Sequence, residues 1–125
     1  MKALSVVTRA GELIASGAKT LEIRRWRPDT CPLVDLAIVQ NARRLTRASP
    51  FDPDGRVVAV VDVVAIRPWE PADAEASCST WEPGWLAWEL RRIRRVVDGP
   101  IAPAQRRIYD IACTLDALKL VGPNA

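Results

Sequence analysis

The longest apolar stretch of the chain runs from Arg56 to Ile66, where β-branched residues follow one another almost without interruption. Such residues fit the pleated surface of a strand. A run that is apolar on both faces predicts a strand buried on both sides, near the centre of a sheet or barrel. Shorter apolar runs at 4–7, 33–39 and 107–111 predict further strands. The sequence therefore indicates a protein built mainly on strands.

A strand with one polar face is predicted from Thr20 to Trp26, because Leu21 and Ile23 alternate there with charged residues. The segment before it, Gly11 to Ser16, has the apolar spacing of a short helix. Gly17 is predicted to end that helix, since glycine accepts the left-handed backbone conformation of a C-terminal cap.

Three segments in the second half of the chain have weaker patterns. Residues 68–83 are acidic and rich in proline, which predicts a long surface loop with at most a turn of helix. Residues 85–97 fit either a helix or a strand by the spacing of their apolar side chains. Residues 114–121 form a short amphipathic segment before Gly122-Pro123, and a C-terminal helix is predicted there.

The chain has 125 residues and no histidine. Histidine is the usual general base near neutral pH and the commonest metal ligand. The lack of histidine excludes a Ser-His-Asp triad, a Cys-His pair and a His-containing zinc site built from this chain alone.

Cys31, Cys78 and Cys113 are too far apart for a metal knuckle or a disulfide framework. They are predicted to be free, mostly buried thiols in a reducing compartment, and neither a metal nor a cofactor is expected.

The sequence lacks the features of a membrane or exported protein. No stretch approaches the roughly 18 to 20 apolar residues of a membrane span. Arg9 and Glu12 follow the first apolar run before a signal-length segment develops. The protein is therefore expected to be cytoplasmic, without a membrane partner, and its oligomeric state is left open.

The net charge of +3 conceals three segments of alternating sign. Residues 1–47 carry nine basic and four acidic side chains, residues 48–89 carry two and eight, and residues 90–125 carry seven and three. Fifteen of the eighteen basic residues are arginine, whose planar fork of donors suits phosphates and base edges. Two basic segments around an acidic one fit a polyanion-binding face. The alternative is a solvated surface of arginine-rich composition.

The spacing G-x-K-x-x-E-x-R occurs at the junction of the first predicted helix with the strand after it, as Gly17, Lys19, Glu22 and Arg24. Residues two apart leave a strand on the same face, so Glu22 and Arg24 are predicted to lie side by side, with Lys19 at the mouth of the strand. This spacing resembles the signature of the ASCH domain family, whose members adopt a PUA-like β-barrel.

Other segments resemble the family in the same order along the chain. Residues 4–6 are similar to its opening strand, and residues 55–62 to its G-x-(I/V)-x-A-x-V-D strand. Residues 87–90 are similar to its aromatic-containing strand before a P-I-P turn, which stands here at 100–103. These matches assign the ambiguous segment 85–97 to a strand.

The fold implied by the resemblance is α+β: a small PUA-like β-barrel of five or six mostly antiparallel strands with two or three short helices. The resemblance covers about residues 3–111. The chain is expected to form one domain over 1–125, with the short C-terminal helix at about 114–121. It departs from the family at 105–107, where members often carry a Lys-Gly pair.

The function implied by the resemblance is a cleft beside Lys19, Glu22 and Arg24 that accepts RNA, a nucleotide or a modified nucleoside. The residue types suit that role, since arginine binds phosphates and base edges, glutamate accepts from exocyclic amines, and lysine supplies a compact charge. Trp26 and Trp69 are candidates for stacking on a base. The alternatives are core packing for the tryptophans and a surface ion-pair ladder for the charged cluster.

Four further arginines are candidates for contacts with a nucleic acid backbone. Arg25 and Arg27 follow the motif, and Arg92 and Arg94 lie in the second basic segment. Because alternate residues share a strand face, Arg92 and Arg94 are expected to act together.

The second hypothesis is an enzyme. Some small ASCH proteins resemble amidohydrolases that remove the acetyl group from N4-acetylcytidine with a lysine, a threonine three positions after it and a later glutamate. The resemblance then makes Lys19 the catalytic lysine and puts Glu22 at the threonine position. The later glutamate is one of Glu70, Glu82 and Glu89. A lysine can act as base or nucleophile without any histidine, provided that it gives up its proton.

Overall fold

The computed structural model describes residues 1–122 of the chain. Within this range it contains nine strands, two short α-helices and two 3₁₀ turns. The strands are β1 (Lys2–Val7), β2 (Leu21–Arg24), β3 (Leu33–Asn41), β4 (Phe51–Asp52), β5 (Arg56–Pro68), β6 (Leu86–Val97), β7 (Ala104–Gln105), β8 (Ile108–Asp110) and β9 (Lys119–Val121). The helices are α1 (Ala10–Ala15) and α2 (Ala74–Ser77), and the 3₁₀ turns are Pro71–Asp73 and Leu115–Ala117.

The larger sheet is a curled half-barrel with the strand order β2-β6-β5-β3-β1-β8, and β9 also pairs with β6. β1 and β3 run parallel, and the other neighbours in this sheet are antiparallel. Strands β4 and β7 form a separate two-stranded sheet. The prediction of a small, mostly antiparallel α+β protein is confirmed. The predicted number of five or six strands is wrong, because the two-residue strands β4 and β7 are too short to leave a pattern and the residues of β9 have the spacing of a helix.

The β-branched run forms β5, which lies between β3 and β6 in the larger sheet. Successive residues of this strand pack into different hydrophobic clusters: Val57 and Val60 join one cluster, and Val61 and Val63 join another. Both faces of β5 are therefore covered, as its two-sided apolar pattern predicts. Helix α1 covers part of the second cluster with the fully buried Ile14.

Helix α1 ends where the sequence predicts. Gly17 has φ +84°, the left-handed conformation of a C-terminal cap, and strand β2 begins four residues later at Leu21. The segment 85–97 is also confirmed as a strand, since β6 pairs along its length with β5. The long connection between β5 and β6 contains one 3₁₀ turn and the single-turn helix α2.

Two predictions are corrected by the structure. The C-terminal helix at 114–121 is wrong: a 3₁₀ turn is followed by β9, because the backbone there pairs with the free edge of β6. Pro123, predicted to follow that helix, lies outside the described residues. The cysteines are free but not mostly buried, since Cys31 and Cys78 are exposed and Cys113 is half-buried.

Within residues 1–122, no helix has the length and apolar character needed to cross a membrane.

Candidate functional site

Lys19 lies in the short segment between α1 and β2, with its side chain turned inward. Its ammonium nitrogen Nζ donates to the carbonyl oxygen of Ser77 at 2.7 Å and lies 3.5 Å from Oε1 of Glu22. The residue is only 5% exposed, so these two oxygens replace the water that a surface lysine would have. Both neighbours of Nζ are therefore oxygen atoms that can accept hydrogen bonds.

Glu22 and Arg24 lie side by side on β2, as their two-residue spacing predicts. Arg24 donates from Nε at 2.8 Å and from Nη2 at 2.7 Å, both to Oε2 of Glu22. Its Nη2 also donates to the Ser5 carbonyl oxygen at 2.9 Å, which joins β2 to β1. Glu22 is buried between two cations, so its carboxylate holds Lys19 and Arg24 in fixed positions.

These side chains line a cavity of about 520 Å³. Within the described part of the chain, its walls carry five cationic side chains and one carboxylate. The cations are Lys19, Arg24, Arg44, Arg106 and Arg107. Arg44, Arg106 and Arg107 are exposed and make no ion pair within residues 1–122. The cavity therefore has an electrostatic preference for anions.

Two tryptophans line the cavity, and each stacks against an arginine. The guanidinium carbon of Arg107 lies 4.3 Å from the ring centroid of Trp26, and that of Arg25 lies 4.3 Å from the ring centroid of Trp85. Trp26 also packs edge-on against the buried Trp88, with ring centroids 4.9 Å apart. Trp26 is thus held rigidly and presents a cation-covered aromatic surface to the cavity.

Ser79 brings a hydroxyl group to the same cavity wall as Lys19. Its Oγ donates to the Ser77 carbonyl oxygen at 3.4 Å, the same oxygen that accepts from Lys19 Nζ. Sequence reasoning missed Ser79, as it missed Ser5, Asn41, Arg44, Arg106 and Arg107 at this cavity. Most of these residues lie in connections between strands, where no periodic pattern marks them. The signal that could have identified Arg44, Arg106 and Arg107 is their place in the two basic segments, 1–47 and 90–125.

The long connection between β5 and β6 carries Ser77 and Ser79, and Arg67 anchors it. Arg67 donates to Asp73 from Nη1 at 2.7 Å and to Glu89 from Nε at 2.7 Å. The hydrogen bonds to Asp73 and then to Glu89 raise the pKa of the Arg67 guanidinium, and the Arg67 hydrogen bond is the main cause that lowers the pKa of Asp73. The connection that holds Lys19 is therefore fixed to the sheet by charge-assisted hydrogen bonds.

Several residues predicted for the site lie elsewhere. Trp69 is buried with Leu21 and Ala87 in a separate hydrophobic cluster and does not line the cavity. Arg27 is exposed in the loop after β2, outside the cavity walls. The three candidate glutamates also lie outside those walls: Glu70, Glu82 and Glu89.

Arg92 and Arg94 form ion pairs with the same two aspartates, which lie on two other strands. Arg92 binds Asp62 at 2.9 Å and Asp35 at 2.7 Å, and Arg94 binds Asp35 at 2.9 Å. Burial raises the pKa of Asp62, but hydrogen bonds from Arg92 and from the backbone N–H of Asp35 outweigh that effect, so the pKa is lowered. Arg94 is buried in this network, which we call the aspartate–arginine network.

The part of the chain that the structure describes contains no cluster of side chains that could bind a metal ion. Among residues 1–122, no three or more aspartate, glutamate or cysteine side chains lie close enough together to hold one.

Comparison with known proteins identifies the class to which this fold and cavity belong. The family model for the ASCH domain matches residues 4–98. The chain therefore belongs to the ASCH domain family, as the G-x-K-x-x-E-x-R spacing indicates, and ASCH domains are PUA-like and generally bind RNA. No curated protein matches the chain.

The solved structures that match the chain include the crystal structure of a point mutant of the ASCH protein from Zymomonas mobilis. It is 17% identical, and the match covers 80% of this chain and 74% of that one, with a TM-score of 0.48.

Proposed function

We propose that the cavity beside Lys19, Glu22 and Arg24 binds a nucleotide unit of single-stranded RNA. The observation that carries the proposal is the convergence of three exposed, unpaired arginines and two tryptophans on one cavity within residues 1–122. Arginines supply the charge that a phosphate needs, and aromatic rings supply the planes on which unpaired bases stack. Both belong to the same ligand, a nucleotide.

The contacts in the cavity indicate which residues bind the phosphate and which bind the base of the nucleotide. Arg44 and Arg106 have no ion-pair partner within the described residues, so they are assigned to phosphate oxygens. The base is assigned to Trp26, either on the outer plane of the Arg107 guanidinium or on the indole after Arg107 moves aside. Within residues 1–122, Oε1 of Glu22 accepts no hydrogen bond and has one ion-pair contact, with Lys19 Nζ at 3.5 Å, so it is assigned to an exocyclic amine of the base.

Binding of short single-stranded RNA, measured by fluorescence anisotropy over a range of salt concentrations, tests the proposal. Each phosphate contact contributes about 0.7 to the slope of log affinity against log salt concentration. We expect Arg106→Ala and Arg44→Ala each to weaken binding and to reduce this slope by about 0.7. Arg47→Ala is the matched control, because Arg47 is exposed and lies outside the cavity. Equal loss in the control, or no binding by the unmutated protein, would contradict the proposal.

A second candidate function, hydrolysis of N4-acetylcytidine, is supported by the Ser79 hydroxyl beside Lys19. It supplies the hydroxyl that the sequence lacks at position 22. Two observations weigh against it: Nζ of Lys19 is already engaged with two acceptor oxygens, and none of Glu70, Glu82 and Glu89 lines the cavity. The test is release of cytidine from N4-acetylcytidine by the unmutated protein, Lys19→Met and Ser79→Ala. Turnover lost in both variants would make Lys19 and Ser79 catalytic, with Glu22 positioning the lysine.

A further inference from the structure

A second basic opening lies where β6 has no neighbouring strand on one side. Strand β2 pairs with β6 as far as Glu89, and β9 pairs with it from Arg95 onward. Around this gap, residues 90–93 of β6 line a groove of about 730 Å³, together with Arg95, Gly17 and Thr20. We call this opening the edge groove.

Three arginines line the edge groove, and within residues 1–122 no aspartate or glutamate does. They are Arg91, Arg92 and Arg95, all exposed. Arg92 is held by the aspartate–arginine network, and Arg91 has one carboxylate at 3.5 Å, on Glu89. Arg95 makes no ion pair in the described residues. The edge groove therefore carries positive charge that the protein itself does not balance.

A β-bulge produces this clustering. Val60 pairs with Arg94 and Asp62 with Arg91, so the two residues Arg92 and Ile93 stand opposite the single Val61. Arg92 has φ +48° at this point. In a regular strand, Arg91 and Arg92 would point to opposite faces, whereas the bulge lets both line one groove. The irregularity thus concentrates charge that a regular strand would divide between its faces.

The edge groove and the RNA-binding cavity lie on either side of one short segment, 17–20. Lys19 lines the cavity, whereas Gly17 and Thr20, which flank it, line the edge groove. A chain that leaves one opening needs to cross only this segment to reach the other. The two sites are therefore close enough for a single flexible polyanion to occupy both.

We infer that the edge groove binds the phosphodiester backbone of the RNA strand whose nucleotide unit occupies the cavity. This inference rests on the proposed function and adds a second contact region, with Arg95 and Arg91 as the residues that bind phosphate. Exposed guanidinium groups without aromatic rings beside them suit a phosphodiester backbone and not a base, so the groove contributes affinity without sequence preference.

The experiment compares a nucleoside monophosphate, which reaches the cavity alone, with a single-stranded hexanucleotide, which reaches both sites. Affinities are measured by calorimetry at low and moderate salt for the unmutated protein, Arg95→Ala, Arg91→Ala and the control Arg47→Ala. Arg95→Ala is expected to weaken hexanucleotide binding by roughly three- to fivefold, to reduce its salt slope by about 0.7, and to leave monophosphate binding unchanged. Arg91→Ala is expected to have a smaller effect in the same direction.

The outcomes separate this inference from the proposed function. If neither ligand binds, the proposed function fails. If both bind but Arg95→Ala and Arg91→Ala match the control with the hexanucleotide, only the edge groove is overturned. If poly-glutamate competes at the groove as strongly as RNA, the site belongs to an acidic peptide, which also overturns the inference. Arg95 has no ion-pair partner within residues 1–122, so its replacement is expected to leave the fold intact.

Discussion

The ammonium of Lys19 donates a 2.7 Å hydrogen bond to the carbonyl oxygen of Ser77, 58 residues further along the chain. The most buried cation of the cavity therefore depends on the connection between β5 and β6 for its position. That connection is fixed in turn by Arg67, through Asp73 and Glu89. Arg67 does not line the cavity, but its replacement should still change the position of Lys19 inside the cavity.

Replacing Arg67 by methionine tests this dependence. The variant loses its hydrogen bonds to Asp73 and Glu89 but keeps an apolar stem of similar length. We expect the free energy of unfolding to fall by about 1 kcal/mol, a small value because Arg67 is partly exposed. RNA affinity should also fall, since Ser77 and Ser79 lose their fixed positions. Urea denaturation and RNA titration measure the two effects, with Arg47→Met as control. Unchanged affinity would show that the connection positions the cavity without Arg67.

Replacing Glu22 by glutamine leaves the buried Lys19 and the half-buried Arg24 without their shared carboxylate. Removing one partner of a buried ion pair usually costs about 3 to 5 kcal/mol, and the similar shape of glutamine places the expected loss near the lower end. Urea denaturation measures the loss, and Glu12→Gln is the control, because Glu12 is exposed on α1. A loss no greater than that of the control would mean that Lys19 and Arg24 find other partners.

The aspartate–arginine network should make the protein sensitive to acid. The pKa of Asp62 is lower in the folded state than its ordinary value near 3.9, so its contribution to stability is complete above that value and is lost as pH falls through the folded pKa. In Asp62→Asn, the loss of stability relative to the unmutated protein should be largest at neutral pH and shrink below about pH 4.

Urea denaturation across a series of pH values measures the Asp62→Asn effect. Asp29→Asn is the control, because Asp29 is exposed and makes no ion pair within residues 1–122. A difference between Asp62→Asn and the unmutated protein that stays constant down to strongly acid pH would contradict the assignment.

Trp26 should report directly on the bound base. We expect RNA to change its fluorescence, and Trp26→Leu, which keeps apolar packing against Trp88, to lose about 1 to 3 kcal/mol of binding free energy, the usual contribution of one stacked base. Trp81→Phe is the control, since Trp81 lies outside the cavity. If Trp26→Leu binds RNA as well as the control does, the base stacks elsewhere.

The sequence predicts the core of this fold better than its edges. The strands β1, β3 and β5 are long or apolar enough for their patterns to be unambiguous, and β5 lies inside the sheet as its two apolar faces require. The two-residue strands β4 and β7 exist only because distant segments pair, which no local pattern encodes. The residues of β9 fit a helix by spacing, but the open edge of β6 gives them hydrogen bonds as a strand.

The candidate site also contains some residues that the sequence predicts and others that it does not. Lys19, Glu22, Arg24 and Trp26 lie within eight residues of each other, so local spacing along β2 suffices to predict their association. Arg44, Ser79 and Arg106 reach the cavity only because loops return to it, which depends on the whole topology. Arg92 and Arg94 bind the same two aspartates, which come from β3 and β5. Sequence spacing cannot reveal partners on other strands.

The position of β1 in the sheet also bears on how the chain is made. β1 leaves the ribosome before the other eight strands described here, yet its two neighbours are β3 and β8, and β8 begins only at Ile108. Until that residue is translated, one edge of β1 has no partner, and its parallel pairing with β3 already joins segments that are distant in sequence. We expect stalled nascent chains that end before Ile108 to remain sensitive to protease. Their structure should form only after β8 has been synthesised.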